Sequence, residues 1–149
     1  MHVMLVVSTG GGLAQLVALR AWWGRHGRHW VTFDEPYTRA ALAGEEVTWA
    51  YGAARGNLRN TVRNTVLAFQ LVRVERPDVV VSTSAGVAVP FLLAARVLGI
   101  RSAYVEVFDR IDSPSLTGRL CYLLADIVCT QRQAREELHP GAVTIGATL

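Results

Sequence analysis

Lysine is absent from the 149-residue sequence, so all 15 basic residues are arginine. Arginines exceed the 12 acidic residues only slightly, and the formal net charge is +3. This weak excess is compatible with anionic lipids or phosphates as partners, but it is too small to indicate nucleic-acid binding. Nucleic acid is therefore not among the expected partners.

Cysteine and long apolar runs are also scarce. Cys121 and Cys129 lie in apolar segments, which favours core packing over a disulfide or a metal site. The longest apolar run, 85–95, contains Pro90 and is far shorter than the ~20 residues of a membrane span. The first apolar run is too short for a signal peptide. The sequence therefore predicts a cytoplasmic protein, either free or bound peripherally to a membrane.

Strand and helix signals alternate along the chain. Apolar runs predict strands at 2–7, 29–33, 46–50, 78–82, 101–107, 126–130 and 142–145. Helical patterns occur at 13–25, 36–43, 57–76, 87–98, 115–124 and 132–138. This alternation is typical of an α/β domain with a doubly wound parallel sheet, here a single Rossmann-like domain over residues 1–149.

The segment Ser8-Thr9-Gly10-Gly11-Gly12 joins the first predicted strand to the first helix. At such a turn, backbone N–H groups and the positive end of the helix dipole face a bound anion, usually a phosphate. A plain tight turn is one alternative, although it does not need the entropic cost of three glycines. A dinucleotide site is another: Asp34 fits it, but Gln15 stands where the third glycine is expected.

A second segment of this kind, Ser82-Thr83-Ser84-Ala85-Gly86, follows a valine-rich strand and opens a helix. Its small residues and hydroxyls are suited to form a second wall of the same anion site. Ordinary N-capping by Ser84 is the alternative, and the two interpretations are compatible.

Glu106 stands among apolar neighbours at the predicted end of the fifth strand. A buried carboxylate is costly unless it is paired or used in chemistry. Glu106 is therefore a candidate general base or acceptor for sugar hydroxyls, with a buried ion pair to Arg110 or another arginine as the alternative. Asp109 and Asp112 are expected to be loop acceptors or helix caps, and their spacing does not indicate a metal site.

Arginines recur every four residues along the predicted helix 57–76 and just before it, at Arg55, Arg59 and Arg63, and therefore share one side. A solvated face and contact with lipid or diphosphate groups are the alternatives for this side. The other side is predicted to be a core stripe of Leu58, Val62, Val66, Phe69 and Val72. The apolar helix 115–124 is interpreted as core or as a surface that faces a membrane or partner.

Six short motifs occur in order along nearly the whole chain: VTFD at 31–34, NLRN at 57–60, ERPDV at 75–79, GVAVPF at 86–91, EVFDRI at 106–111 and LTGR at 116–119. With these motifs the chain resembles the bacterial PssD-like polysaccharide biosynthesis proteins. That family is related to the membrane-recruiting subunit of the eukaryotic enzyme that adds the second GlcNAc to dolichol-diphosphate-GlcNAc. Its domain is similar to the N-terminal, acceptor-side half of GT-B glycosyltransferases such as MurG.

The resemblance implies one subunit of a split glycosyltransferase that acts with a small donor-binding partner. The reaction would move a sugar from a UDP-sugar to a polyprenyl-diphosphate-linked sugar during capsule or exopolysaccharide assembly. It implies no cofactor or metal, since the nucleotide sugar is a substrate held mainly by the partner. The segments 8–12 and 84–86 would face the acceptor diphosphate, and Glu106 would lie near the acceptor sugar, beside an acceptor loop containing Asp109 and Arg110. The protein would bind peripherally to the inner face of the cell membrane.

Two positions depart from the family pattern. The family's first loop usually reads S-x-G-G-H-L, and here Gly12 replaces the histidine; in the second, S-T-G-A-G has Ser84 at its third position. A general base would then rest on Glu106 or on the partner. The alternatives are a non-catalytic scaffold that recruits the catalytic subunit and a nucleotide-binding oxidoreductase domain. Membrane contact is expected from the arginines and from apolar side chains such as Trp22, Trp23 and helix 115–124.

Overall fold

The computed structural model describes residues 1–52, 57–106, 116–130 and 143–144. Within these residues one parallel sheet contains seven strands in the order β3-β2-β1-β4-β5-β6-β7. The strands are β1 (His2–Val6), β2 (Gly27–Phe33), β3 (Val47–Ala50), β4 (Val79–Ser82), β5 (Arg101–Val105), β6 (Ile127–Thr130) and β7 (Val143–Thr144). The helices are α1 (Gly11–Ala18), α2 (Arg20–Trp23), α3 (Pro36–Ala41), α4 (Leu58–Glu75), α5 (Ala85–Val97) and α6 (Leu116–Leu124). The predicted doubly wound, Rossmann-like sheet is confirmed.

Strand β1 lies inside the sheet and is apolar on both faces. Met4 and Val6 pack in one core cluster with α4 and α5, whereas Val3 and Leu5 pack in a second cluster with α1. All four side chains are fully buried. A strand covered on both faces has no polar side, which explains why its sequence is a continuous apolar run.

Some predicted boundaries differ from the structure. The predicted helix 13–25 is two helices, α1 and α2, separated by Leu19, whose φ of −80° and ψ of 15° depart from helical values. Strand β2 begins at Gly27, before the predicted start, because Gly27 pairs with His2. The predicted helix 132–138 lies outside the described residues, as do residues 142 and 145 of the last predicted strand.

The order in which strands are added to the sheet switches sides between β1 and β4. It passes from β1 to β2 on one side and from β4 to β5 on the other, yet β1 and β4 are neighbours, with Val6 opposite Ser82. The carboxyl ends of β1 and β4 therefore flank the topological switch point, where open α/β sheets bind their ligands.

A groove of about 1240 Å³ lies on the sheet face that carries Leu19 and Trp22. Its floor is formed by apolar side chains of β4, β5 and β6, including Val79, Ala103 and Ile127. None of residues 8–12 or 82–86 lines this groove, so it is separate from the two glycine- and serine-rich loops.

The two cysteines are free thiols, and both pack against core clusters, as the sequence predicts. Cys121 is fully buried in a small cluster that joins α5, α6 and the sheet. Cys129 is half-buried on β6, and this burial raises the pKa of its thiol. Both side chains therefore contribute to packing.

Candidate functional site

The first loop, residues 8–12, places the N-terminus of α1 at the switch point. Gly10 has a φ of +88°, a left-handed conformation that favours glycine. Helix α1 begins at the next residue, and the N–H groups of Leu13 and Ala14 donate to the Gly10 carbonyl at 3.1 and 3.3 Å. The N–H groups that precede Leu13 have no acceptor within the helix, which is the usual basis of an anion site.

The second loop, residues 82–86, places the N-terminus of α5 at the switch point as well. Ser84 is the N-cap residue, as one interpretation predicted, but its side chain makes no capping hydrogen bond. Neither α1 nor α5 has an acidic residue in its first turn. The positive ends of both helix dipoles are therefore left without a nearby carboxylate from the same helix.

The two loops are in direct contact. The buried hydroxyl of Thr83 donates to the Gly12 carbonyl at 2.9 Å. A Cβ atom on Gly12 would lie only 2.5 Å from Ser84 Oγ and 2.9 Å from Thr83 Oγ1. An added side chain at Gly12 would therefore force the Ser84 and Thr83 side chains to move, and a histidine does not fit the loops as they stand.

Glu106 lies at the same edge of the sheet, one residue beyond β5. Its backbone N–H donates to the Cys129 carbonyl at 2.9 Å, which extends the ladder between β5 and β6. The residue is only 8% exposed, in agreement with a carboxylate set among apolar neighbours. Because β5 is the neighbour of β4, Glu106 lies beside the second loop. Its role as a base stays a prediction, and Asp109 and Arg110 lie outside the described residues.

Asp34 is occupied by an ion pair. Both of its carboxylate oxygens accept hydrogen bonds from Arg39, and the bond from Nη2 to Oδ2 measures 2.7 Å. The hydrogen bond from Arg39 lowers the pKa of Asp34, and its positive charge acts in the same direction. The Asp34 carboxylate is thus paired with an arginine of the following helix.

The predicted core stripe of α4 is wrong in its first half. Leu58, Val62 and Val66 are 75%, 55% and 51% exposed, whereas Phe69 is partly buried and Val72 is fully buried. The physical reason is a buried amide on the opposite side of the helix.

That amide belongs to Asn64, which is 5% exposed. Its side chain accepts from the Tyr51 N–H and donates to the Tyr51 carbonyl, both at 2.9 Å. Satisfying both backbone groups at the end of β3 fixes the rotation of α4, and the apolar residues of its first turns are turned outward.

The outward face of α4 therefore combines apolar and basic side chains. Arg59 and Arg63 are exposed beside Leu58, Val62 and Val66, and the Arg63 guanidinium lies 5.2 Å from the centre of the Tyr51 ring. Arg55 lies outside the described residues. This mixture is typical of a helix that lies on a membrane surface. We call the set Leu58, Arg59, Val62, Arg63 and Val66 the α4 outer face.

Helix α6 also presents apolar side chains to solvent. Leu116 and Leu123 are 77% and 71% exposed, whereas Gly118 and Cys121 are buried. Its structure therefore favours a surface that meets a membrane or partner over a core helix. In the described part of the chain, no helix combines the length and apolarity needed to cross a membrane.

The two tryptophans proposed for membrane contact differ in the structure. Trp22 is 39% exposed, but Trp23 is buried, and its Nε1–H donates to the Leu16 carbonyl at 2.6 Å. The Trp23 ring also packs edge-to-face against Trp30, with ring centres 5.3 Å apart. The expected membrane role of Trp23 is therefore wrong, because this side chain is part of the core.

Comparison with known families shows to which family the chain belongs. Residues 52–148 match the model of the family described as "Oligosaccharide biosynthesis protein Alg14 like". The chain belongs to this Alg14-like family. The subunit ALG14 of UDP-N-acetylglucosamine transferase from Eremothecium gossypii is 33% identical over 159 residues, with 84% of this chain and 70% of the relative covered. The human ALG14 subunit is 30% identical over 92 residues, which cover 58% of this chain and 43% of the human protein. The chain thus spans less than half the length of its human relative.

Solved structures confirm the fold of this Alg14-like chain. Acinetobacter baumannii MurG superposes with a TM-score of 0.70 at 22% identity, covering 87% of this chain and 40% of MurG. UDP-N-acetylglucosamine 2-epimerase from Rickettsia bellii superposes with a TM-score of 0.80 at 14% identity, covering 99% of this chain and 45% of the epimerase. The family membership favours a glycosyltransferase subunit over an oxidoreductase domain.

Proposed function

We propose that this Alg14-like chain is the acceptor-binding and membrane-docking subunit of a split glycosyltransferase of the PssD-like type. Its reaction transfers a sugar from a UDP-sugar to a polyprenyl-diphosphate-linked sugar in capsule or exopolysaccharide biosynthesis. A small donor-binding subunit completes the enzyme and holds most of the nucleotide sugar. The family membership supports this proposal, since relatives at 30–33% identity are named as subunits of a UDP-N-acetylglucosamine transferase.

The observation that carries the proposal is the meeting of two helix N-termini at the switch point. Gly10–Gly12 and Ser84–Gly86 lie side by side, and the bond from Thr83 to Gly12 joins them. Two dipole ends with free N–H groups suit the two phosphates of a lipid diphosphate. Segment 8–12, including Ser8, Thr9 and Gly11, and segment 84–86, including Ala85, would then bind the acceptor.

Glu106 supplies the base in this proposal. The acceptor hydroxyl oxygen attacks the anomeric carbon of the donor, and its proton passes to the Glu106 carboxylate. The bond between that carbon and the diphosphate oxygen breaks, and the electron pair leaves with the nucleoside diphosphate. The helix N-termini stabilise the acceptor diphosphate and hold the hydroxyl in position.

The α4 outer face gives the membrane contact. Arginine side chains attract anionic headgroups, and the exposed leucine and valines enter the interface beside them. This geometry agrees with peripheral binding at the inner face of the cell membrane, where a polyprenyl-linked acceptor meets a soluble nucleotide sugar.

A reconstituted transfer assay tests the proposal. Labelled nucleotide sugars, with UDP-GlcNAc first, are offered to a polyprenyl-diphosphate-sugar acceptor with this chain alone, the donor-binding subunit alone, or both. We expect transfer only, or far faster, with both subunits. No transfer with any combination contradicts the proposed activity.

The base is tested by Glu106→Gln in the two-subunit assay. We expect kcat to fall at least about tenfold, since general-base catalysis contributes roughly 10²–10⁴-fold. Asp78→Asn is the matched control: it removes one negative charge at the opposite edge of the sheet, and asparagine can still accept from the His2 N–H. An unchanged rate with Glu106→Gln removes Glu106 from this role.

The crowding at Gly12 favours one alternative, a scaffold that recruits the catalytic subunit without taking part in chemistry. A side chain at the position that carries a histidine in the resembling family would displace the Ser84 and Thr83 hydroxyls here. Normal complex assembly together with unchanged rates for Glu106→Gln and for a first-loop variant such as Gly10→Ala would select the scaffold.

A further inference from the structure

A second cluster of chemically active side chains lies at the amino edge of the sheet, opposite the two loops. Ligand atoms of His29, Glu46 and Glu75 all lie within 4.8 Å of one another. His29 is on β2, Glu46 directly precedes β3, and Glu75 is the last residue of α4. A fourth group, His2, opens β1, and its Nε2 lies 3.6 Å from Glu75 Oε2.

The imidazole of His29 is fixed on one side and unsatisfied on the other. Its Nε2 makes a 2.7 Å hydrogen bond with the Thr48 hydroxyl. Its Nδ1 has no hydrogen-bond partner among the described residues, and water cannot supply one readily because the side chain is only 6% exposed. An unsatisfied buried nitrogen is costly, so a group that completes it would stabilise the fold.

The neighbours of Nδ1 are carboxylates at distances that do not suit hydrogen bonds. Glu46 Oε1 lies 3.6 Å from His29 Nδ1, beyond the usual 2.7–3.2 Å range for N–H···O bonds. His2 Nε2 is likewise buried, without a hydrogen-bond partner in the described part of the chain, and 3.6 Å from a carboxylate. Two imidazole nitrogens therefore each face a glutamate across a gap of the same length.

That length matches the separation of ligands around a metal ion. With Zn–N and Zn–O bonds of about 2.0–2.2 Å, two ligand atoms of a tetrahedral site lie about 3.4 Å apart. Histidine nitrogen and carboxylate oxygen are both common zinc ligands. The Thr48 hydroxyl takes the place of the outer hydrogen bond that orients a ligating histidine.

We propose that His29 Nδ1, Glu46 and Glu75 bind a Zn²⁺ ion, and that His2 lies outside the ligand set as a neighbour of the Glu75 carboxylate. The ion neutralises the two carboxylates, and it gives the buried Nδ1 of His29 the bonding partner that it lacks. It also ties β2 and the residue before β3 to the end of α4. This site is structural and is independent of the proposed glycosyl transfer at the opposite edge.

The experiment measures binding of Zn²⁺ alone to the whole chain after treatment with a chelator. We expect one Zn²⁺ per chain by calorimetry and a rise of several degrees in Tm, since a ligand that binds only the folded state stabilises it. Co²⁺ should substitute and give the visible absorption of a site with nitrogen and oxygen ligands. Absence of binding to the wild-type chain overturns the proposal.

Glu46→Gln tests the site without disturbing the core, because Glu46 is 71% exposed. We expect its Zn²⁺ affinity to fall at least about tenfold and its Tm in the absence of metal to stay near that of wild type. Glu35→Gln is the control, since this residue caps α3 near the opposite edge and glutamine retains an acceptor oxygen. Equal Zn²⁺ affinity in wild type and in both variants would place the ion elsewhere and overturn the assignment.

Discussion

Gly12 shows how one residue fixes the geometry of the two glycine- and serine-rich loops. Its missing Cβ leaves room for the hydroxyls of Thr83 and Ser84, and one of these hydroxyls donates to the Gly12 carbonyl. Positions 12 and 84, where the chain departs from the pattern of the resembling family, are therefore neighbours in space.

Gly12→Ala is expected to destabilise the chain by roughly 1–3 kcal/mol, the usual cost of overpacking. Ser84→Gly in the same chain removes the closer of the two clashes, so the double variant should recover part of this loss. Urea unfolding of the four members of the cycle measures the coupling. Strictly additive effects of the two substitutions would contradict a direct clash.

A second residue-scale prediction concerns the Arg28–Glu45 pair. Arg28 donates to both carboxylate oxygens of Glu45, at 2.6 and 2.7 Å. These hydrogen bonds are the main cause of the lowered pKa of Glu45. Because the folded-state pKa is lowered, the pair's full contribution is present above the ordinary glutamate pKa and is lost as pH falls through the folded-state value.

Glu45→Gln should therefore lower the free energy of unfolding by roughly 1 kcal/mol at pH 7. The difference from wild type should shrink as the pH falls below about 4, because the Glu45 carboxylate of the unfolded chain is then protonated before that of the folded chain. Urea unfolding at pH 7 and pH 3 measures both values. A difference that is constant across this range would show that charge is not the source of the effect.

At the scale of elements, α4 connects the sheet to the proposed membrane surface. Asn64 holds its inner side against Tyr51, while the α4 outer face is free to meet a lipid surface. The sequence misled the core prediction because leucine and valine are buried in most helices. Asn64 is visible in the sequence of this helix, but its burial depends on hydrogen bonds to the backbone of Tyr51 after β3. The pattern of the helix alone does not include that contact.

Arg59→Glu is expected to weaken binding to vesicles of anionic phospholipid by roughly ten- to thirtyfold. The reason is that each basic residue near such a surface contributes about 1 kcal/mol, and the substitution reverses one charge. Arg101→Glu carries the same charge change at an exposed position at the start of β5 and serves as the control. Sedimentation with vesicles measures both, and equal weakening by the two variants would indicate net charge instead of a specific face.

For the whole molecule, the sheet was predictable because buried parallel strands are continuous apolar runs. Val3–Val7 and Val79–Val81 are examples, and both glycine- and serine-rich loops follow such runs. The helix break at Leu19 was not predictable, since no proline or glycine marks it. The cluster of His29, Glu46 and Glu75 was missed because its members come from three separate elements. Only the register of β2 and β3 and the packing of α4 bring them together.

The topology also predicts where the folded chain is most stable. Strand β1 is hydrogen-bonded on both sides, by β2 and β4, and Val3–Val7 are fully buried. Strand β3 is the edge of the sheet beside β2, and three of its four residues are partly exposed. Amides that exchange only on global unfolding are expected in the most enclosed elements, whereas edge strands open locally.

Hydrogen exchange at individual amides tests this gradient. The amides of Leu5 and Val6 should exchange with a free energy close to that of global unfolding, and those of β3 should exchange faster by at least about tenfold. Unfolding in urea supplies the global value. Equally slow exchange in β1 and β3 would contradict the gradient, because it requires β3 to open only when the entire sheet unfolds.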